Sequence, residues 1–191
     1  MKTKQKTRSS KGFTLIELLV VITIIAVLAG LSFAGVNLAI KKAKKLQGET
    51  LANNLASAVD NFYGEYNRLP EVNGDEIETD SGPGVQLLQV LLALEPQGNN
   101  TQNSRSITFL QAPEAKGKKG GIVYSGADNA DGLYDPFGNP FTVVLNSNFE
   151  DTLEFQFDGR PVRLRGKQVA VYSPGGDREE GTPDDITSWN N

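Results

Sequence analysis

The sequence predicts an α+β fold: a long N-terminal helix, membrane-spanning in its first half and amphipathic in its second, packed on a small antiparallel β-sheet with a C-terminal loop. Three observations predict it. Residues 18–36, LLVVITIIAVLAGLSFAGV, carry no charge and only Thr23 and Ser32 as polar members. Apolar residues then recur at helical spacing, at Leu46, Leu51, Leu55, Val59, Phe62 and Tyr66, with Asn53, Asn54, Ser57, Asp60 and Asn61 left to the other face. The rest of the chain holds a few short strand-like runs without βαβ alternation, the pattern of an antiparallel sheet beside a helix.

The helix is expected from about Thr14 to Tyr66, because no proline interrupts it before Pro70. Gly30, Gly35, Gly48 and Gly64 are places where bending is cheap. At about 1.5 Å per residue the apolar run makes roughly 28 Å of helix, close to the ~30 Å hydrocarbon thickness of a bilayer. One membrane span is the economical reading. A secretory signal peptide is the alternative, with Ser32-Phe33-Ala34 as its small-residue cleavage site, but Glu17 and the continuing helical pattern count against it.

After the helix, Arg68 to Gly84 reads as a loop and Val85 to Leu94 as a short apolar helix. Pro96 to Arg105 is rich in Asn and Gln and is expected to be a mobile loop, and Gln111 to Gly121 a solvated Lys-Gly turn. Strands are expected at Ile122–Tyr124, Phe141–Leu145, Leu153–Phe157 and Gln168–Tyr172, with a turn at Phe157-Asp158-Gly159-Arg160.

The net charge of −4 conceals an order along the chain. Residues 1–12 hold Lys2, Lys4, Lys6, Arg8 and Lys11 and no acid; Lys41, Lys42, Lys44 and Lys45 follow the apolar run; beyond residue 45, ten positive charges face twenty-two negative ones. An acidic body is a poor ligand for phosphate backbones, so no nucleic-acid partner is expected. The absence of His and Cys excludes Ser-His-Asp and Cys-His catalysis, the usual zinc and iron–sulfur sites, and disulfides. Gly117 to Gly121 lacks the Ser or Thr and following helix of a phosphate loop, and a carboxylate pair such as Glu179 and Asp184 is weak support for a hydrolase. No enzymatic activity is expected.

An ionised Glu17 beside the apolar run costs about 2.5–3.5 kcal/mol unless it lies at the headgroup boundary. Its neighbourhood, Gly12-Phe13-Thr14-Leu15-Ile16-Glu17-Leu18-Leu19-Val20-Val21, resembles the processing signal of the type IV pilin and type II secretion pseudopilin superfamily. The resemblance implies three segments: a cleaved leader at 1–12, a transmembrane and assembly half-helix at 13–40, and a periplasmic globular domain at 41–191. It implies cleavage between Gly12 and Phe13 by a prepilin peptidase, N-methylation of Phe13, and pairing of Glu17 with the Phe13 amine of a neighbouring subunit during assembly.

Two further segments are similar to the major pseudopilin of type II secretion systems. Asp135-Pro136-Phe137-Gly138-Asn139-Pro140-Phe141 resembles that family's Asp-Pro-Trp-Gly-Asn-Pro-Tyr signature, and reads physically as a rigid turn anchored by its aromatics. The C-terminal stretch from Tyr172 to Trp189 resembles its calcium loop, with Asp177, Asp184 and Asp185 as candidate ligands. The loop is shorter than the family's, and Arg178 offers another way of neutralising the acids. The resemblance implies a methylated, single-pass protein of the bacterial inner membrane with a periplasmic C-terminal domain. Its implied partners are copies of itself, minor pseudopilins, the peptidase, an inner-membrane assembly platform and membrane lipid. Its implied function is to form a pseudopilus that drives protein secretion; the alternative is a type IV pilin for adhesion, motility or DNA uptake.

Overall fold

The computed structural model describes residues 12–96, 98, 101–126 and 129–189, without the side chains of residues 31–35. Residues 1–11 of the expected leader are outside the described residues. The fold is α+β, with a long N-terminal helix packed on antiparallel strands. Helix α1 runs unbroken over Leu15–Tyr66, so none of its glycines ends it. The chain divides into two compact units, 1–41 and 42–191.

In the first unit the described apolar side chains, from Phe13 to Ile40, are exposed. Among the described residues no helix is long and apolar enough to cross a membrane. The expected span therefore gains no support from the structure.

The second unit begins with the amphipathic half of α1, whose Leu51, Leu55, Val59 and Phe62 are buried as the spacing predicts. Leu46 is an exception and is exposed, while Gly48 is buried instead. At that level Ile186 and Pro136 press against the helix backbone, and a Cβ on Gly48 would overlap Ile186 Cδ1. Gly48 is thus a site of close approach rather than a bend.

Next come β1 (Glu76–Glu78) and α2 (Gly82–Leu91). The helix starts three residues before the expected Val85 because Ser81 accepts a hydrogen bond from the Gly84 N–H and Pro83 suits the first turn. Strands β2 (Gly121–Tyr124) and β3 (Ala130–Tyr134) form a hairpin. Strands β4 (Thr142–Leu145), β7 (Val169–Ser173) and β8 (Ile186–Thr187) join β1 in an antiparallel sheet of order β1-β4-β7-β8. Strands β5 (Thr152–Phe157) and β6 (Arg160–Arg165) form a second hairpin. Its turn is Asp158-Gly159, with φ of 52° and 64°, the left-handed pair that a two-residue hairpin needs.

One face of the four-stranded sheet, through Val143, Leu145 and Val171, closes the main core with α1 and α2. The other face, through Val144, Ala170 and Tyr172, packs against Leu153 and Phe155 of the hairpin. Trp189 seals this second cluster edge-on to Phe155, Phe157 and Tyr172, at centroid distances of 5.2, 5.7 and 6.0 Å. Within the Asn- and Gln-rich segment expected to be a mobile loop, residues 97, 99 and 100 lie outside the described residues, and Gln102 and Asn103 are held in place. Asn103 is 1% exposed, donates to the Val90 and Ile107 carbonyls, and accepts from Tyr66 Oη at 2.9 Å; Gln102 bonds the Glu71 backbone. Polar side chains there replace missing sheet partners for the loop backbone.

Candidate functional site

Gly12 and Phe13 precede α1 as exposed, non-helical chain, and Phe13 is 80% exposed. The first helical turn is organised by Thr14 and Glu17. Glu17 Oε2 accepts from the Thr14 N–H at 2.8 Å and from Thr14 Oγ1 at 2.6 Å, while the Glu17 N–H donates to Thr14 Oγ1 at 3.3 Å. This reciprocal arrangement is a capping box, written in the sequence as Thr-x-x-Glu, a signal the family resemblance overshadows. In the isolated chain the Glu17 carboxylate is therefore satisfied locally, and Thr14 is the residue that holds it.

The Asp135–Phe141 segment turns the chain from β3 into β4, and its organiser is a buried carboxylate that composition does not reveal. Asp135 is fully buried, and its Oδ1 accepts from the N–H groups of Phe137, Gly138 and Asn139 at 2.7, 2.6 and 2.9 Å. Its Oδ2 accepts from Asn139 Nδ2 at 3.1 Å and from Ser173 Oγ at 2.5 Å. Asn139 also donates to the Gly175 carbonyl, so the turn grips the start of the C-terminal loop. Phe141 is fully buried and Phe137 is partly buried, with Lys44 Nζ 5.5 Å from the centre of its ring.

In the C-terminal loop Asp184 Oδ2 accepts from the N–H groups of Gly176 and Asp177, and its Oδ1 from Thr182 Oγ1. Asp185 Oδ2 accepts from the N–H groups of Gly181 and Thr182 at 2.7 and 2.8 Å. Asp177 Oδ1 accepts from the Glu179 N–H. The expected ligands thus share one loop, but each holds backbone as well. Among the described residues no group of three carboxylates is disposed to hold a metal ion. What the loop does offer a cation is Asp185 Oδ1, which is buried and has no hydrogen-bond partner.

The electrostatics agree. Burial pushes the Asp185 carboxyl up, and the charges of Asp177 and Asp184 add to that, against the pull of the Thr182 and Gly181 N–H groups. Burial also acts on Asp184, but the Thr182 hydroxyl and the Gly176 N–H outweigh it and hold that carboxyl low. Arg178 forms no ion pair among the described residues and so does not neutralise the acids as the sequence allowed. The loop is instead tied to α1 by Lys45, which donates to the Pro183 carbonyl at 2.6 Å.

A family model described as the prokaryotic N-terminal methylation motif matches residues 7–33. No curated protein and no solved structure matches the chain. The chain carries the N-terminal signature of a type IV pilin-like or pseudopilin precursor.

Proposed function

We propose that the chain is a structural subunit of a periplasmic pseudopilus, polymerising through α1 to drive type II protein secretion. The observation that carries this reading is the methylation motif at the head of a single 52-residue helix. The turn at Asp135–Phe141, with its resemblance to the major pseudopilin, favours the secretion branch over a type IV pilin. In this reading a prepilin peptidase cuts between Gly12 and Phe13 and methylates Phe13. The uncharged run at 18–36 stores the subunit in the inner membrane, with the acidic body in the periplasm. An assembly platform and minor pseudopilins are its partners, and the chain has no catalytic role. The experiment is a Glu17→Ala chain in the native host: loss of protein secretion supports the reading, whereas loss of surface fibres with secretion intact supports the pilin alternative.

Calcium in the C-terminal loop belongs to the same reading, with Asp185 Oδ1 its best-supported ligand and Asp177 and Asp184 supplying further negative charge. Bound calcium would neutralise carboxylates that otherwise repel. Because the Asp185 carboxyl is raised on folding, its own contribution to the stability of the ion-free body falls as pH rises through the carboxylate range, while that of Asp184, held low, runs the other way. Residues 38–191 retain both core clusters, which lie between Leu51 and Ile186 apart from the flanking Trp189. Their melting midpoint is expected to rise by about 5–10 °C in saturating calcium relative to chelator. Coincident midpoints would remove calcium from the account.

A further inference from the structure

Of the ten positive charges beyond residue 45, Arg160, Arg163, Arg165 and Lys167 fall within eight positions. Strand β6 carries the three arginines and pairs with β5 along one edge only. Along it Arg163 and Arg165 are exposed and alternate with half-buried Val162 and Leu164, so the two guanidinium groups share a face. Together with Lys167, Leu164, Asn53 and Trp189 they line an open groove of about 430 Å³. Arg163 reaches Glu154 across the hairpin at 3.1 Å and Lys167 lies near enough to Asp60 to act on its charge, but neither Arg165 nor Lys167 forms an ion pair among the described residues.

The complementary surface is on the same chain. From Glu71 to Asp80 there are five acids and no base. Strand β1 within it is an edge strand with Glu76 and Glu78 exposed. Asp75, Glu78 and Asp80 form no ion pair among the described residues, though Asp80 accepts from Tyr134 Oη at 3.3 Å and acts on the charge of Lys118; the acids of the C-terminal loop are engaged by loop N–H groups. Among the described residues no ion pair joins β6 to the β1 segment within one chain. Two different, complementary surfaces that do not meet within a chain can meet between chains, and such head-to-tail contacts build open filaments rather than closed dimers.

We propose that the basic face of β6, through Arg163, Arg165 and Lys167, receives the acidic segment Asp75–Asp80 of a second copy of this chain. The proposal rests on the reading of the protein as a fibre subunit. Since the sequence has no cysteine, Arg165→Cys with Glu78→Cys in the full-length chain gives a clean test with a short bis-maleimide. Assembled fibres are expected to yield a ladder of covalent oligomers that neither single variant gives. Fibres without a ladder, or cross-links only to other proteins, overturn the interface and leave the proposed function standing. A wild-type chain that never forms fibres overturns the function and the interface together. As a second readout, charge reversal by Arg163→Glu with Arg165→Glu is expected to lower fibre yield at least about tenfold, with recovery when Asp75→Lys and Glu78→Lys are added. Undiminished yield or absent recovery contradicts the proposal.

Discussion

Replacing Glu17 by Ala is expected to leave the chain cleaved, methylated and folded, yet absent from fibres. Two different energies meet at this residue. In the isolated chain Glu17 is half of a capping box with Thr14, and losing such a cap costs about 1 kcal/mol of local helix stability. No buried residue of the body lies within that turn, so the fold is untouched. Within a membrane an unpaired carboxylate costs about 2.5–3.5 kcal/mol, and an ammonium met only in the assembled state offsets it. A difference of about 3 kcal/mol corresponds to roughly a hundredfold loss of assembly. Thr14→Ala separates the two contributions: it removes the cap and keeps the charge, and is expected to assemble within a few-fold of wild type. Fibre yield in sheared fractions reads both. Equal loss in the two variants would reduce Glu17 to a helix cap.

Asp135→Ala is expected to produce the largest loss of stability in the body. Five donors converge on this fully buried carboxylate, three of them backbone N–H groups of the turn. A hydrogen bond to a charged group contributes about 1.5–3 kcal/mol, and donors left unpaired in the interior add their own cost, so a loss of about 4 kcal/mol or more follows even without additivity. For a body of this size that is a fall of roughly 8–16 °C in melting midpoint. Asp135→Asn keeps an acceptor for the three backbone donors but points an amide NH₂ at Asn139 Nδ2, and should fall between the two. Thermal unfolding followed by circular dichroism checks the series. A midpoint within about 2 °C of wild type for Asp135→Ala would show that the prolines hold the turn unaided.

Long-period features were legible in the sequence. A helix of this length repeats its pattern many times, so the stripe through Leu51, Leu55, Val59 and Phe62 stands out, and four strands were recognisable from β-branched runs or, at Leu153–Phe157, from apolar-polar alternation. The strands that escaped notice are short or break the rule. β1 is three residues amid acids, β8 is two, β3 contains Gly132, and β6 carries Pro161 and three arginines. What makes them strands is a partner: Phe157-Asp158-Gly159-Arg160 announces a hairpin, and β5 supplies the strand that β6 pairs with.

The candidate site divides in the same way. The Thr-x-x-Glu cap is local and readable. The convergence of Asp135 with Ser173 and of Asn139 with Gly175 depends on two loops meeting across 38 and 36 positions, which no spacing within either one records. The unpartnered Asp185 Oδ1 likewise exists only because Gly181 and Thr182 engage the other oxygen.

Whether this chain is a pilin-like precursor is read from the mass of the N-terminal peptide of the mature protein recovered from its host. The mature chain is expected to begin at Phe13 and to carry one added methyl group on its amine. A mature protein that still begins at Met1, or that begins after Ala34 as a cleaved signal peptide would leave it, would contradict the account.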